Sequence, residues 1–167
     1  MAKPARAPSK DTYNEAVKEA KLLDIRLTES KWAFDLSMLR EMDKLQKFTN
    51  QSILEAPHFS PETGRLVGKV LCRLLITANS AVDEPDANTQ TDASQAALDC
   101  ESSYVVAFEV PKAFTSHNAN QFFESTAKFA VWPYFRSHVA NLAAQSRLEL
   151  PPLPLTTLLQ RIRDDTP

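Results

Sequence analysis

Residues 65 to 79, RLVGKVLCRLLITAN, place Leu66, Val70, Cys72, Leu74, Ile76 and Ala78 on one parity, while Arg65, Lys69, Arg73 and Thr77 interrupt the other. Side chains of an extended chain alternate between faces, so this run predicts a long strand with one continuous apolar face. Val67, Leu71 and Leu75 leave its second face half apolar. A second run, SYVVAFEV at 103 to 110, sets Tyr104, Val106, Phe108 and Val110 against Val105, Ala107 and Glu109. Pro111 ends it, because proline has no amide to donate to a ladder. Between the runs, residues 79 to 99 hold five acids, no base and almost no large apolar side chain. They predict a flexible acidic connection between antiparallel strands.

The remaining elements fall around this pair. Residues 11 to 23 place Tyr13, Val17 and Ala20 at helical spacing behind Asp11 or Thr12 as N-cap. In the next segment Ile25 and Leu27 share one parity, and Trp32, Phe34 and Leu36 the other. One strand accommodates both if a bulge near Glu29 to Lys31 flips the phase. Residues 43 to 56 suit an edge strand, with a helix as the alternative, and their Phe48 and Ile53 do not share a phase. From Asn118 or Asn120 as N-cap, Phe123, Ala127, Ala130, Val131, Tyr134, Phe135, Val139 and Leu142 follow helical spacing to about Arg147. A last amphipathic helix starts near Pro154, with Leu155, Leu158, Leu159 and Ile162 on one face. Helix, antiparallel strands, then two helices make an α+β arrangement.

Composition limits the chemistry. A chain of 167 residues can bury about 70% of its unfolded surface in one domain, here 11 to 163, between an N-terminal arm at 1 to 10 and a tail at 164 to 167. Only Gly64 and Gly68 are present, whereas phosphate-cradling loops, dinucleotide turns and nucleophile elbows need clustered glycines. No nucleotide site and no ATP-driven mechanism are expected. A net charge of -2 gives no basic face for nucleic acid. MAKPARAPSK lacks the apolar core of a signal peptide, no segment is built to insert in a membrane, and a cytoplasmic location is expected. Cys72 and Cys100 read as free thiols in a reducing compartment. His58, His117 and His138 show no metal-ligand spacing, so neither metal nor cofactor is expected. No residue stands out as catalytic, and the chain is read as a non-enzyme.

The segment FAVWPYFRSHVANLAAQSRLELPPLPL, 129 to 155, is the most unusual. Pro133 inside a helix removes the bond to the carbonyl of Phe129, at about 3 kcal/mol in an ordinary helix interior. The run that follows holds its leucines on an extended, proline-stiffened wall, which suits contact with unfolded polypeptide.

This segment resembles the SecB family of bacterial protein-export chaperones, in which an aromatic-Pro-Tyr-x-Arg signature sits within the long helix and a Leu/Pro-rich run precedes a short final helix. Here the signature is Trp132, Pro133, Tyr134, Phe135 and Arg136, and the order of strands agrees over about residues 22 to 163. The resemblance implies a four-stranded antiparallel sheet covered by a long kinked helix and a short C-terminal helix, here with an extra N-terminal helix. It implies dimers pairing into a homotetramer, and the half-apolar second strand face suits a sheet covered by another subunit. It also implies an ATP-independent holdase binding non-native polypeptides in apolar grooves, lined here by Trp132, Tyr134, Phe135, Leu142, Leu148, Leu150, Leu153 and Leu155. The family hands preproteins to the SecA motor through an acidic sheet patch. Asp35 and Glu109 match that patch, but Lys31 and Ala107 depart from it. The N-terminal helix and the acidic connection are more similar to SecB-like chaperones of toxin-antitoxin systems, which fold and protect a labile antitoxin. Two alternatives remain open: a structural module binding one folded partner, and an enzyme without a recognisable motif.

Overall fold

The computed structural model describes residues 17–40, 45–78 and 96–154. Among these lie strands β1 (Lys21–Phe34), β2 (Leu45–Ile53), β3 (His58–Ser60), β4 (Arg65–Ala78) and β5 (Ala96–Glu109), with helices α1 (Leu36–Leu39) and α2 (Ser116–Gln145). The antiparallel sheet has the order β1-β5-β4-β2, and short β3 pairs with β4. The expected four strands are the main path, and β3 adds a fifth. The segment 43 to 56 supplies an edge strand, with Phe48 opposite Leu75 on one face and Ile53 opposite Val70 on the other.

The core lies between α2 and one sheet face. Register sets Leu66, Val70, Cys72, Leu74 and Ile76 of β4 beside Phe108, Tyr104, Ser102, Cys100 and Leu98 of β5, all buried. Against them α2 lays a ridge at every fourth position: Ala119, Phe123, Ala127, Val131, Phe135, Val139 and Ala143. Side chains four apart share a helix face, and full burial of large ones such as Phe123 and Phe135 contributes about 1.5–3 kcal/mol each. Phe123 meets Phe108 edge to face, with centroids 6.0 Å apart, and its ring lies on Gly68. A Cβ there would approach the ring carbon Cζ to 2.5 Å. Gly68 is thus a contact for the helix. Gly64, at φ 70°, closes the β3–β4 turn.

Two bulges in β1 resolve its mixed parity. The register shifts between Leu22 and Asp24 and between Leu27 and Glu29, leaving Leu23 and Thr28 as extra residues. Directly paired residues share a face, so Ile25 and Leu27, opposite Val106 and Tyr104, lie on the same side as Trp32 and Phe34, opposite Cys100 and Leu98. The phase flip expected at Glu29 to Lys31 occurs just before it, at Thr28.

Several boundaries differ from expectation. Residues 21–23 are strand and not helix, since Lys21 and Leu22 pair with β5 and Leu23 is the bulge that follows; residues 17–19 are helical and 11–16 lie outside the described residues. Leu36 leaves the strand because the Asp35 carboxylate accepts the Ser37 amide at 2.8 Å and starts α1. Residues 96–99, expected in the acidic connection, belong to β5, where pairing with β1 and β4 buries Ala97, Leu98 and Asp99; 79–95 lie outside the described residues. The N-cap of α2 is Thr115, not Asn118 or Asn120. Its hydroxyl accepts the Asn118 amide at 3.2 Å, as a capping residue does for the third helical position. The helix ends at Gln145, not Arg147. The expected final helix from Pro154 falls outside the described residues, apart from Pro154 itself.

Candidate functional site

The C-terminal end of α2 turns the chain back on itself. Arg147 adopts φ 55°, its amide bonds the carbonyl of Ala144 at 3.1 Å, and the amide of Leu148 bonds that of Ala143 at 2.9 Å. This pair of bonds is the Schellman arrangement that satisfies orphan carbonyls at a helix end. It aims residues 148–154 back along α2. Six steps of polyproline-like chain at about 3.1 Å span about 19 Å, and the twelve helical steps from Ala144 to Trp132 at about 1.5 Å span about 18 Å. The lengths match, so the run lies beside the helix without slack.

Two side chains hold it there. The Trp132 indole N–H donates to the carbonyl of Pro154 at 2.9 Å, and the Arg136 Nε donates to that of Leu153 at 3.0 Å. Four residues apart, Trp132 and Arg136 project from one helix face. This gives the Trp-Pro-Tyr-Phe-Arg segment a structural role: its first and last members strap the apolar wall. Pro133 sits between them on the exposed side, as does Phe129, whose carbonyl the proline leaves without an amide. Water reaches that side, which limits the cost of the missing bond. The helix runs unbroken through Pro133.

The strapped run, the last turns of α2 and the sheet enclose a groove of about 410 Å³, within the range of ligand pockets, about 300–1,000 Å³. Leu74 and Ile76 of β4 make its floor, Val139, Ala140, Ala143 and Ala144 the helix wall, and Leu148, Leu150 and Leu153 the opposite wall. Small residues on the helix open the space. Three of the eight residues expected at the groove therefore line it. Trp132 and Phe135 are core, Leu142 packs half-buried against the core, and Tyr134 faces outward at 51% exposure; Leu155 lies outside the described residues. Sequence reasoning omits the floor and the helix wall, although Leu74 and Ile76 share a strand face and Ala143 follows Val139 by four. It also omits the polar lining, Lys47, Arg136 and Glu149. Lys47 lies opposite Ile76 on edge strand β2, and burial lowers its pKa from the usual 10.5.

A second cluster ties α2 to β1. His138 Nε2 and Ser30 Oγ are 2.8 Å apart, and the Trp32 indole donates to Ser146 Oγ at 3.0 Å. Burial holds the His138 pKa below its ordinary 6.5. From the other side of the helix, Gln51 Nε2 donates to the carbonyl of Lys128 at 3.1 Å.

The sheet face away from α2 mixes charged residues with apolar ones, Val67, Leu71 and Leu75 among them. Asp99 is buried there and binds Arg73 through two bonds, Nε to Oδ1 at 2.9 Å and Nη2 to Oδ2 at 3.2 Å, with Lys31 Nζ at 3.4 Å from Oδ2. Glu109 lies between Lys21 and Arg65, directly opposite it on β1 and β4. Asp35, past the end of β1, donates its amide to the carbonyl of Ala97. The twelve residues from Ala97 to Glu109 put the two acids about 40 Å apart at about 3.3 Å per residue. Asp35 and Glu109 are not brought together into one patch. Burial pushes the Cys72 and Cys100 thiols up to about 12 and about 11; both are free and buried, hence poor nucleophiles. Among the described residues, no group of three or more His, Cys, Asp or Glu is placed to hold a metal ion, and no helix is long and apolar enough to cross a membrane.

The antiparallel sheet covered on one face by a long helix is a SecB-like fold. The structure is similar to that of the Mycobacterium tuberculosis Rv1957 SecB-like chaperone in complex with a ChAD peptide from the Rv1956 HigA1 antitoxin, with a TM-score of 0.62 and 17% identity over 87% of this chain and 97% of that one. The sequence matches no protein-family model and no curated protein.

Proposed function

We propose that this protein is an ATP-independent chaperone that holds extended, non-native polypeptide in the groove beside the strapped wall. The observation that carries the reading is the wall itself: leucines on a proline-stiffened run, tied to α2 at the Leu153 and Pro154 carbonyls, with Leu148 and Leu150 only half-buried where they line the groove. Such a wall pays its ordering entropy before a client arrives, so client burial is offset less by disorder. Each large client side chain fully buried contributes about 1.5–3 kcal/mol, and several weak contacts on one chain add to firm retention.

Between the two roles open to such a chaperone, protection of an antitoxin segment is favoured over delivery to SecA. The SecB-like neighbour is bound to an antitoxin peptide, whereas the residues matching the export patch lie at opposite ends of the sheet and Glu109 is flanked by cations. Assembly into a cytoplasmic homotetramer completes the proposal; Phe129 and Tyr134, each about half exposed on α2, fit a surface covered by another protomer.

The test is suppression of aggregation of a chemically unfolded client at stoichiometric concentration. Wild type suppresses light scattering, and Leu150→Asp, in the groove wall, loses most of that effect. Absence of suppression by the wild type refutes the reading. Binding of one folded partner with indifference to unfolded chains would favour an interaction module instead.

A further inference from the structure

The groove is not electrically neutral, and its charges are not internally matched. Lys47 stands at the β2 rim of the floor and Arg136 on the α2 wall, with Glu149 as the opposing charge. Neither cation forms an ion pair with a carboxylate among the described residues. Arg136 commits its Nε to the Leu153 carbonyl, which leaves its terminal nitrogens as donors. Lys47 is exposed on the edge strand opposite Ile76 and has no carboxylate partner among the described residues, so its ammonium is available to an incoming carboxylate. By contrast, the buried carboxylate of Asp99 is matched by Arg73 and Lys31. Lys47 stands at the rim of a floor made of Leu74 and Ile76.

We propose that the groove selects extended apolar segments carrying an acidic side chain, which Lys47 and Arg136 receive while flanking apolar residues lie on Leu74, Ile76 and the leucine wall. The inference rests on the chaperone reading above and names the chemistry of its client. A side chain is favoured over a chain terminus because the wall runs about 19 Å beside the helix, so a client passes along it and does not stop there. Charge complementarity of this kind adds selectivity more than raw affinity.

The experiment uses labelled, end-blocked apolar peptides that differ at one central position, Glu, Gln or Lys, titrated by fluorescence anisotropy against the full-length wild type and Lys47→Glu. A fourth peptide carries Gln and a free terminal carboxylate. With wild type, the Glu peptide is expected to bind about fivefold more tightly than the Gln peptide, as a partly exposed ion pair gives. The Lys peptide binds more weakly than either, and raised salt narrows the spread. In Lys47→Glu the order of Glu and Lys peptides reverses. Equal binding of the Glu and Gln peptides overturns this inference and leaves the groove reading standing. A free terminus that matches the Glu peptide overturns the choice of a side chain. If no peptide binds, the groove reading falls, and this inference with it.

Discussion

Removing both straps by Trp132→Phe together with Arg136→Met should free the leucine wall while leaving the sheet folded. Ordering Leu148, Glu149, Leu150 and Leu153 costs about 1–2 kcal/mol of backbone entropy each, about 4–8 kcal/mol together, and the prolines add less because their φ is preset. Burial of Leu153, which is 7% exposed, and partial burial of Leu148 and Leu150 return about 3–6 kcal/mol. The two nearly cancel. The strap bonds, about 0.5–1.5 kcal/mol for the neutral indole and about 1.5–3 for the guanidinium, therefore decide whether the wall stays docked. Losing both should raise the detached population by a factor of about 30 to 2,000, at 1.4 kcal/mol per tenfold. Trypsin reads this locally, because the bond after Arg147 becomes accessible when the Schellman turn opens. Cleavage there should accelerate strongly in the double variant and less in each single one, with Arg136→Met the larger of the two. Any cavity left by Trp132→Phe is read separately, by global urea unfolding. An unchanged cleavage rate in the folded double variant would refute the argument that the straps hold the wall.

Three other predictions concern the frame of the site. Gly68→Ala forces a methyl into the Phe123 ring, buried against Phe108, and should destabilise by about 1–3 kcal/mol in urea unfolding; combining it with Phe123→Leu should recover part of the loss, and a fully stable single variant would contradict the packing. Arg147→Gly relieves a left-handed backbone at the helix end and should stabilise by about 1 kcal/mol, seen as a higher urea midpoint. His138 binds its proton more weakly folded than unfolded, because burial lowers its pKa, so its contribution is intact above 6.5 and is lost as pH falls from there through the folded pKa. His138→Gln should flatten that part of the pH profile of stability, and an identical profile in the two proteins would remove His138 as its source.

How much of this is legible in the sequence depends on whether the signal is local. Alternation from Leu66 to Ala78 declares β4, because a strand buried against a helix must repeat every second residue. The parity break between Leu27 and Trp32 declares a bulge. By contrast, Asp99 hides the start of β5: a buried carboxylate looks like loop until it is seen to bond Arg73, 26 residues away. Thr115 and Asn118 are both good caps, and the choice follows from where Ala119 must meet the core. The aromatic cluster reads as groove lining, yet the core takes Trp132 and Phe135 and leaves Tyr134 outside.

The sequence by itself determined the periodic elements and the stiff extended run after α2. Those properties are set within a few residues, by side-chain alternation, helical spacing and the fixed φ of proline. Only the tertiary structure decided that Trp132 and Arg136 strap that wall, that Leu74 and Ile76 floor the groove, and that Lys47 stands unmatched at its rim. These depend on strand register and on where a helix end turns back, which bring together residues from distant parts of the chain, and no local pattern records them.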